Sequence, residues 1–496
     1  MEAEIMHLLG VKPHWDERGR TQGVDVISRE ALGRPRVDVT IIPSGLYRDL
    51  FAPIVRLLDQ AETKAQEQDE PDNPLRRHIK ETQTALMKRG LKAEEALDMA
   101  SARLFSVPSG AYGTNLDRAI PLSNTWQDEK QLADVFFNRM HHVYGRGHWG
   151  EAASKDANLA VDLFKMSLKD TDAVIHSRSS NVYASLDGDD FYQYLGGTAL
   201  AARQVNGKTP EVLVADLSDP TAAKHESLAR YQGREMQSRY LNPKWIESML
   251  KEGYAGARFV NMVTENLWGW QVTVPEAVGD EKWQSIYETY VEDKYQLDIQ
   301  KKFEQADNLL AYQAMVDRML VAVNKGYWKA DPAVKAKLEE VNKQVIAKAG
   351  VACNRDSCSS PEITKLAEQQ DLAKAKPAAP GTQAQATPAT MQPPPAAQPQ
   401  STAAQSSSQA VPDATQALEG YEMEEKNATT ENSDRQPALS NNETLIVAFA
   451  LLVLFLLGFG RGVLDRQKIT RIKYSLTLKN KPSASLKTGG LRCFCL

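Results

Sequence analysis

Residues 172–197, DAVIHSRSSNVYASLDGDDFYQYLGG, form the stretch that indicates the fold and the chemistry most directly. A short apolar run places His176 at its end, and a polar loop then leads to Asp187, Asp189 and Asp190. Imidazole, guanidinium and carboxylate groups beside aromatic residues are typical of a pocket that handles metals or protons. A polar turn between two elements, built on the Asp-Gly pair, is the structural alternative.

Outside this stretch the pattern is that of an α/β protein rich in helices. Residues 36–58 predict a βα unit, in which the strand VDVTII is followed by a turn and a helix. Turns of this kind face ligands in α/β proteins, so residues 44–49 are a candidate ligand-binding loop. A second strand is predicted over 211–217, and Trp268 and Trp270 are expected to be packing residues. Helices are predicted over 54–68, 74–100, 221–240, 241–270 as a pair, 280–325 and 331–348.

A loop rich in Gly, Ser and Pro covers residues 103–120 and carries Ser109, Tyr112 and Asn115. Its glycines let the backbone approach a ligand, or else serve a turn. The tripeptide GKT at 207–209 resembles the end of a phosphate-binding loop. Because the upstream glycine of that motif is absent, a turn is predicted there instead.

Histidines are concentrated between residues 141 and 176. A predicted helix leads into His141 and His142, and His148 and Glu151 follow closely. Clustered imidazole and carboxylate groups suit a borderline divalent metal. Adjacent residues on a helix point in different directions, so at most one of the neighbouring histidines is expected to face a shared site.

Composition excludes some classes of function. The chain has 496 residues, 42% of them hydrophobic and 25% charged, which is enough for a large core and two or three domains. A net charge of −5 gives no sign of a nucleic-acid partner. The start of the chain does not resemble a signal peptide and reads as if it began partway through a domain. The spacing of Cys353 and Cys358 is compatible with a disulfide that closes a small loop, and only weakly indicates a zinc site.

Beyond residue 350 the composition changes in steps. A short helical extension with two cysteines is predicted over 351–372, and a disordered linker of Pro, Ala, Gln and Ser over 373–443. Residues 444–463 predict one transmembrane helix, and 464–496 form a basic tail. The positive-inside rule places this tail in the cytoplasm and the globular part outside. A carboxyl-terminal anchor that leaves the globular part in the cytosol is the alternative, so the side of that part stays open.

The motif HSRSSNVYASLDGDDFYQYLGG resembles the family of the cobaltochelatase large subunit, CobN, and the porphyrin-binding H subunit of magnesium chelatase. The resemblance covers roughly residues 5–350 in collinear order and concerns the carboxyl-terminal region of that family. It implies a mixed, helix-rich α/β fold of the chelatase large-subunit region. Further segments that carry it are HLLGVKPHWDERGRTQGVDVI, LGRPRVDVTIIPSGLYRDLF, VPSGAYGTNLD, SNTWQDEKQLADVFFNRM and SRYLNPKWIESMLKEGYAGARFVNMVTENLWGWQVT.

The resemblance implies ATP-dependent insertion of a divalent metal, cobalt, into a tetrapyrrole. The large subunit would bind the macrocycle and the metal, while separate AAA+ subunits bind ATP and Mg and hydrolyse the nucleotide. The missing phosphate-binding loop fits that division. The large subunits of the family are much longer than this chain, so a separate amino-terminal CobN-like chain is an expected partner. The membrane, through residues 444–463, is another.

The resemblance also suggests roles for individual residues. Metal insertion requires a base for two pyrrolic protons and ligands for a desolvated metal. Asp187, Asp189 and Asp190 are the acid–base or relay candidates, and His176 is the neutral ligand or proton acceptor. The expected metal ligands are His148, Glu151 and His176. The expected substrate contacts are Arg178, pairing with a carboxylate of the macrocycle, and Ser109, Tyr112 and Tyr183.

Three functions follow from these patterns. The first is a cobaltochelatase component that acts on hydrogenobyrinic acid a,c-diamide in cobalamin biosynthesis. The second is a membrane-anchored relative that acts on haem or another metal tetrapyrrole, in uptake or metal removal. The third is a membrane-bound tetrapyrrole-binding protein without catalysis.

Overall fold

The computed structural model describes residues 1–350, apart from 153, 155 and 220, and the backbone of residues 492–495. The extension, the linker, the transmembrane segment and the remainder of the tail predicted above lie outside these residues. So does the pair Cys353 and Cys358. Within the part of the chain that is described, no helix combines the length and the apolar character needed to span a bilayer.

The described residues contain three sheets. In chain order the strands are β1 Val11–Trp15, β2 Thr21–Val26, β3 Asp38–Ile41, β4 Phe105–Ser106, β5 His142–Gly145, β6 His148–Ala152, β7 Thr171–Arg178, β8 Glu211–Asp216, β9 Lys224–Ser227 and β10 Arg492–Cys495. β1 and β2 form an antiparallel hairpin, and β4, β5 and β6 form an antiparallel three-stranded sheet.

The five-stranded sheet positions the candidate site. Its strand order is β3-β10-β7-β8-β9, in which the first four strands are parallel and β9 is antiparallel. Every residue of β3 is buried, as are residues 173–175 of β7, which is the pattern of a parallel sheet covered on both faces. The carboxyl ends of the parallel strands therefore meet at one edge, where α/β proteins bind ligands.

Helices cover this sheet and form most of the remaining mass. They are α1 Glu2–Leu9, α2 Arg29–Leu32, α3 Gly45–Leu50, α4 Ala52–Gln66, α5 Pro74–Lys88, α6 Ala93–Ala100, α7 Leu116–Ala119, α8 Glu129–Met140, α9 Ala157–Ser167, α10 Gly197–Asn206, α11 Leu228–Ser238, α12 Pro243–Lys251, α13 Gly253–Thr273, α14 Pro275–Tyr290, α15 Ile299–Gln305, α16 Leu309–Asn324 and α17 Pro332–Ala349. A π-helix, Tyr192–Gly196, runs directly into α10.

Most of the predicted elements are present, with shifted boundaries. The βα unit and the strand at 211–217 are confirmed. The helical segment predicted through 74–100 is present as two helices, α5 and α6, which Gly90, with φ of 97°, separates. The helix predicted over 221–240 begins only at Leu228, since β9 precedes it. The helices predicted over 280–325 are the end of α14 and the whole of α15 and α16.

Two apolar clusters form the core. The larger lies among the helices around α13, where Trp268 and Trp270 are fully buried as predicted. The indole nitrogen of Trp268 donates to the Ile120 carbonyl, and that of Trp270 donates to the Ser185 carbonyl. The second bond ties the helical core to the stretch 172–197. The smaller cluster lies between β3, β7 and the helices α1 and α4.

Candidate functional site

A cavity of about 460 Å³ opens at the carboxyl edge of β3 and β7. This volume lies within the range of small-molecule sites. Its lining is mostly apolar and aromatic, with a few polar groups among them, which is the usual character of a ligand pocket. The residues used below are Ser44, Tyr47, Tyr112, His176, Ser177, Ser179, Asp190, Phe191 and Tyr194.

His176 reaches the cavity because of its position on β7. The strand buries Ala173, Val174 and Ile175 and leaves His176 partly exposed near its carboxyl end. The imidazole meets the Phe191 ring edge to face, with ring centres 5.5 Å apart. This packing places an imidazole in the lining of the cavity.

Asp190 enters the cavity from the loop that follows β7. Its Oδ1 accepts a hydrogen bond of 3.1 Å from the Gln193 amide. Desolvation raises the pKa of Asp190, and the neighbouring Asp117 carboxylate raises it further. A carboxylate of raised pKa is a better proton acceptor near neutral pH than an ordinary aspartate.

The π-helix places a second aromatic wall. It begins one residue after Phe191 and brings the Tyr194 side chain to the cavity. Gly196 and Gly269 permit this packing, because a Cβ on Gly269 would lie 2.6 Å from the Tyr192 ring. Single turns of π-helix often occur at functional sites.

A further part of the lining follows β3 and belongs to the segment 44–49, which the sequence predicted to face a ligand. The Ser44 hydroxyl accepts from the Tyr47 amide and so begins α3, and both residues line the cavity. The Tyr47 hydroxyl donates to the Glu2 carboxylate at 2.5 Å, and burial together with this carboxylate raises the pKa of Tyr47.

Tyr112, a predicted substrate contact, lines the cavity from a loop on the same side. Its hydroxyl donates to Asp49 at 2.9 Å, and that carboxylate raises the pKa of Tyr112. The fully buried Arg48 pairs with Asp49 and donates to the Val107 carbonyl at 3.0 Å. This arginine fixes the loop of Tyr112 against α3, and the Tyr112 side chain remains 57% exposed.

Asp187, predicted as catalytic, is placed away from the lining of the cavity and is 3% exposed. Its carboxylate accepts hydrogen bonds from the Ala184 amide at 2.6 Å, the Tyr240 hydroxyl at 2.5 Å and Arg239 at 2.9 Å. Such a set of donors holds the loop in shape. Asp189 is exposed and does not line the cavity.

The other predicted substrate contacts do not line the cavity. Arg178 is buried, and its guanidinium lies 4.2 Å from the centre of the Phe191 ring, a cation–π contact behind the cavity wall. The Tyr183 hydroxyl donates to the Asp187 carbonyl at 3.1 Å. Ser109 is exposed beside Gly150.

His148 and Glu151 lie on β6, in the three-stranded sheet. The His148 imidazole contacts the Asp98 carboxylate at 3.1 Å, beside a narrow crevice of its own. The Glu151 carboxylate accepts from the Trp149 amide, which lowers its pKa. The structure does not bring these two residues to His176 at the cavity. Among the described residues, no group of three or more His, Cys, Asp or Glu side chains is arranged to hold a metal ion.

His141 and His142 differ from the expectation of diverging side chains on one helix. α8 ends before His141, and His142 begins β5, so the helical geometry does not apply. Their rings stack with centres 4.4 Å apart. Burial and the adjacent His141 lower the pKa of His142 to about 4.

Sequence reasoning missed Ser177, Ser179, Phe191 and Tyr194 as lining residues. All four lie inside the stretch 172–197, but an aromatic or hydroxyl side chain carries no signal of its own. The usable signal was position, because residues that follow a parallel strand collect at the carboxyl edge of the sheet.

The fold is a helix-rich α/β fold in which an aromatic cavity with an imidazole and a carboxylate lies at the carboxyl edge of β3 and β7. A family model described as CobN/Magnesium Chelatase matches residues 1–335. The chain therefore belongs to the CobN/magnesium chelatase family.

Individual relatives agree with this assignment. The aerobic cobaltochelatase subunit CobN of Sinorhizobium sp is 32% identical over 328 residues, which is 66% of this chain and 25% of that protein. The H subunit of magnesium chelatase from Chlorobaculum parvum is 31% identical over 343 residues, 68% of this chain and 25% of that protein. The chain thus spans about a quarter of the length of these relatives.

A solved structure has the same fold. The catalytic subunit of cobaltochelatase from Mycobacterium tuberculosis superposes with a TM-score of 0.63 at 27% sequence identity. The match covers 70% of this chain and 28% of that one. The helix-rich α/β fold expected from the sequence is confirmed for the described residues.

Proposed function

We propose that this chain provides the cavity-bearing part of a tetrapyrrole metal chelatase large subunit. The metal is a divalent cation, cobalt, and the macrocycle is hydrogenobyrinic acid a,c-diamide. ATP is hydrolysed by separate AAA+ subunits. The observation that carries the proposal is the cavity at the carboxyl edge of β3 and β7, where His176 and Asp190 lie among aromatic walls.

The chemistry of insertion fits these two side chains. A metal can replace the two pyrrolic protons of a tetrapyrrole only if a base accepts them. The His176 side chain is an imidazole, whose neutral ring nitrogen can accept a proton, and the raised pKa of Asp190 makes its carboxylate a better proton acceptor than an ordinary aspartate. These groups are proposed to take up the protons, with the metal arriving as a substrate.

The aromatic walls fit the macrocycle. The aromatic residues Phe191, Tyr194, Tyr47 and Tyr112 all line the cavity, and aromatic rings pack favourably against a flat, conjugated ligand. The hydroxyls of Tyr47 and Tyr112 donate to Glu2 and Asp49, and the Tyr194 hydroxyl accepts from the Gly45 amide. The cavity is a binding surface for part of a macrocycle, and other parts of a larger subunit would enclose the remainder.

Binding and insertion separate the proposed roles. The full chain would be titrated with hydrogenobyrinic acid a,c-diamide, a metal-free porphyrin and haem, and the absorbance followed. We expect the wild-type chain to bind the metal-free corrinoid saturably, and the His176→Ala variant to bind it with a Kd within about 3-fold of the wild-type value. In an insertion assay that contains the ATPase subunits, we expect His176→Ala to insert metal at least 100-fold more slowly than the wild type. Asp189→Asn, on an exposed residue outside the cavity lining, is the matched control.

Each alternative has its own result. Preference for haem would assign the chain to metal removal or uptake, and preference for the porphyrin to a magnesium chelatase. Binding without insertion under every combination would leave a tetrapyrrole-binding protein. Insertion at the wild-type rate by His176→Ala and Asp190→Asn would refute the proposed roles of these residues.

A further inference from the structure

Gln193 is a buried glutamine next to the cavity residue Asp190. It is the second residue of the π-helix and is 3% exposed. Its side-chain oxygen accepts a hydrogen bond of 2.8 Å from the Thr114 amide and lies 3.3 Å from the Thr114 hydroxyl. Its side-chain nitrogen donates to Asp190 Oδ1 at 3.1 Å. The side chain therefore bridges the loop 103–120 and the carboxylate in the cavity.

The surroundings fix which way this amide points. A backbone N–H can only donate, so the Gln193 atom that faces the Thr114 amide must be the oxygen. The Thr114 hydroxyl accepts from the Leu116 amide at 3.3 Å, which leaves its own proton for the same oxygen. The NH₂ group of Gln193 is therefore on the other side, where Asp190 accepts from it.

The π-helix holds this side chain in place through the residues on either side of it. The Tyr192 ring packs so closely on α13 that a Cβ on Gly269 would lie 2.6 Å from it. The Tyr194 hydroxyl accepts from the Gly45 amide at 3.5 Å. Three successive residues of the π-helix thus contact α13, the loop 103–120 and the start of α3. A side chain between two such anchors has little freedom to move away from the carboxylate.

The Asp190 carboxylate, in contrast, depends on a single hydrogen bond among the described residues. Its side chain is exposed at the cavity, and Gln193 bonds one of its two oxygens. An exposed aspartate that nothing holds samples several rotamers. A fixed donor on Oδ1 restricts the carboxylate to one orientation and leaves Oδ2 to meet a ligand.

We propose that Gln193 is a positioning residue, which fixes the orientation of the Asp190 carboxylate so that Oδ2 meets the pyrrolic N–H groups of a macrocycle in the cavity. This role rests on the proposed function. Gln193 acts through Asp190 and does not contact the reacting atoms itself. Its effect on rate comes from orientation, because a base that is held in the productive geometry reaches the transition state at a lower cost in entropy.

The chemistry of an amide suits this task. An amide orients a carboxylate by a hydrogen bond without adding charge, whereas a lysine or arginine in the same place would make the carboxylate a much poorer base. The Gln193 hydrogen bond lowers the pKa of Asp190, and Asp117 raises it. Among the described residues, the other titratable groups that interact with this carboxylate are the phenols of Tyr183 and Tyr194, whose raised pKa values keep them neutral.

The first test is the titration of Asp190 itself. The aspartate γ-carbons of the full chain are labelled with ¹³C, and the Asp190 resonance is identified by its absence from the spectrum of Asp190→Asn. Gln193→Leu removes a hydrogen bond that lowers the pKa of Asp190, so the titration should move to higher pH. Gln271→Leu is the matched control, because Gln271 is equally buried and accepts from the Trp283 indole. This control should leave the titration of Asp190 unchanged.

The second test measures whether Gln193 acts through Asp190. Metal insertion is compared for Gln193→Leu, for Asp190→Ala and for the double variant, with the ATPase subunits present. We expect Gln193→Leu to slow insertion about 10-fold in the wild-type chain. When Asp190 is already alanine, the same change should slow it by no more than about 2-fold. The acidic limb of the pH–rate profile should also move to higher pH in Gln193→Leu, opposite to the effect of Asp117→Asn.

A further variant covers the case in which Gln193→Leu does not fold. Gln193→Glu keeps an oxygen for the Thr114 amide and replaces only the NH₂ donor that faces Asp190. It should give the same two effects, since a second carboxylate also raises the pKa of its neighbour. An Asp190 titration that stays at the wild-type pH in both Gln193 variants, or an equal loss of insertion with and without Asp190, would overturn the proposal. If the wild-type chain itself inserts no metal, the proposed function fails, and the titration alone decides whether Gln193 holds the carboxylate.

Discussion

Replacement of Asp187 by Asn is expected to weaken the fold while leaving the chemical groups of the cavity in place. The Asp187 carboxylate is 3% exposed and accepts from the Ala184 amide, the Tyr240 hydroxyl and Arg239. Arg239 also donates to the carbonyl of Asn181, so the same pair fixes the start of the loop. The amide of Asn carries no charge, so the remaining hydrogen bonds are weaker. Its NH₂ group is a donor, and it would face the donor groups that now bond the second carboxylate oxygen.

The magnitude follows from the number and kind of bonds. Hydrogen bonds to a charged group contribute about 1.5 to 3 kcal/mol each, and breaking a buried ion pair costs about 3 to 5 kcal/mol. Asn retains one acceptor, and Arg239 keeps contact with solvent, so a loss of about 2 to 4 kcal/mol is expected. At roughly 2.1 cal/mol/K of unfolding entropy per residue over about 350 residues, this lowers Tm by about 3 to 5 °C.

Differential scanning calorimetry of the full chain measures this shift. Asp190→Asn is the comparison, because Asp190 lies in the same loop and lines the cavity but makes only the Gln193 contact among its described hydrogen bonds. We expect Asp190→Asn to leave Tm within about 1 °C and to reduce metal insertion. If Asp187→Asn kept the wild-type Tm and lost insertion, Asp187 would act in the chemistry and the structural reasoning would be refuted.

Three further predictions concern pH. Asp117→Asn removes a carboxylate that raises the pKa of Asp190, so the acidic limb of the pH–rate profile for metal insertion should move to lower pH. If that limb does not move, Asp190 is not the group whose titration produces it. Burial, and then Asp38, raise the pKa of Glu62 far above its usual 4.5, so the folded state holds this proton and loses stability as pH rises. The difference in Tm between Glu62→Gln and the wild type should therefore grow as pH rises above about 4.5. A difference in Tm that does not change with pH would contradict the raised pKa of Glu62. Because the pKa of His142 falls from 6.5 to about 4, its contribution to stability is present above pH 6.5 and is lost as pH falls toward 4. His142→Phe should flatten Tm against pH in that window, and an NMR titration showing His142 protonated near pH 6.5 would exclude this.

Local patterns were sufficient for many elements, since strands and helices here follow their hydrophobic periodicity. The βα unit at 36–58 and the buried Trp268 and Trp270 were predictable on that basis. The break at Gly90 shows the limit of periodicity. The helical spacing of apolar residues continues across this position, but the backbone of Gly90 has a positive φ, so the helix ends before it.

The candidate site was predictable as a stretch and less so as individual side chains. His176 and Asp190 line the cavity, whereas Asp187, three residues before Asp190, is buried away from it. Both aspartates look alike in sequence, and only the donors of Arg239 and Tyr240, about 50 residues away, distinguish them. The position of β10 was beyond prediction for the same reason, because strand pairing over such a distance leaves no local signal.

The pairing of β10 also has a topological consequence. Ala349 ends α17, and Arg492 begins a strand in the sheet of the same globular body. A lipid bilayer crossed once between these residues would leave them in different aqueous compartments. An anchored molecule with a single crossing and a molecule with β10 in its sheet are therefore mutually exclusive species. The compartment in which a label on Cys493 or Cys495 reacts would report, molecule by molecule, whether β10 lies between β3 and β7.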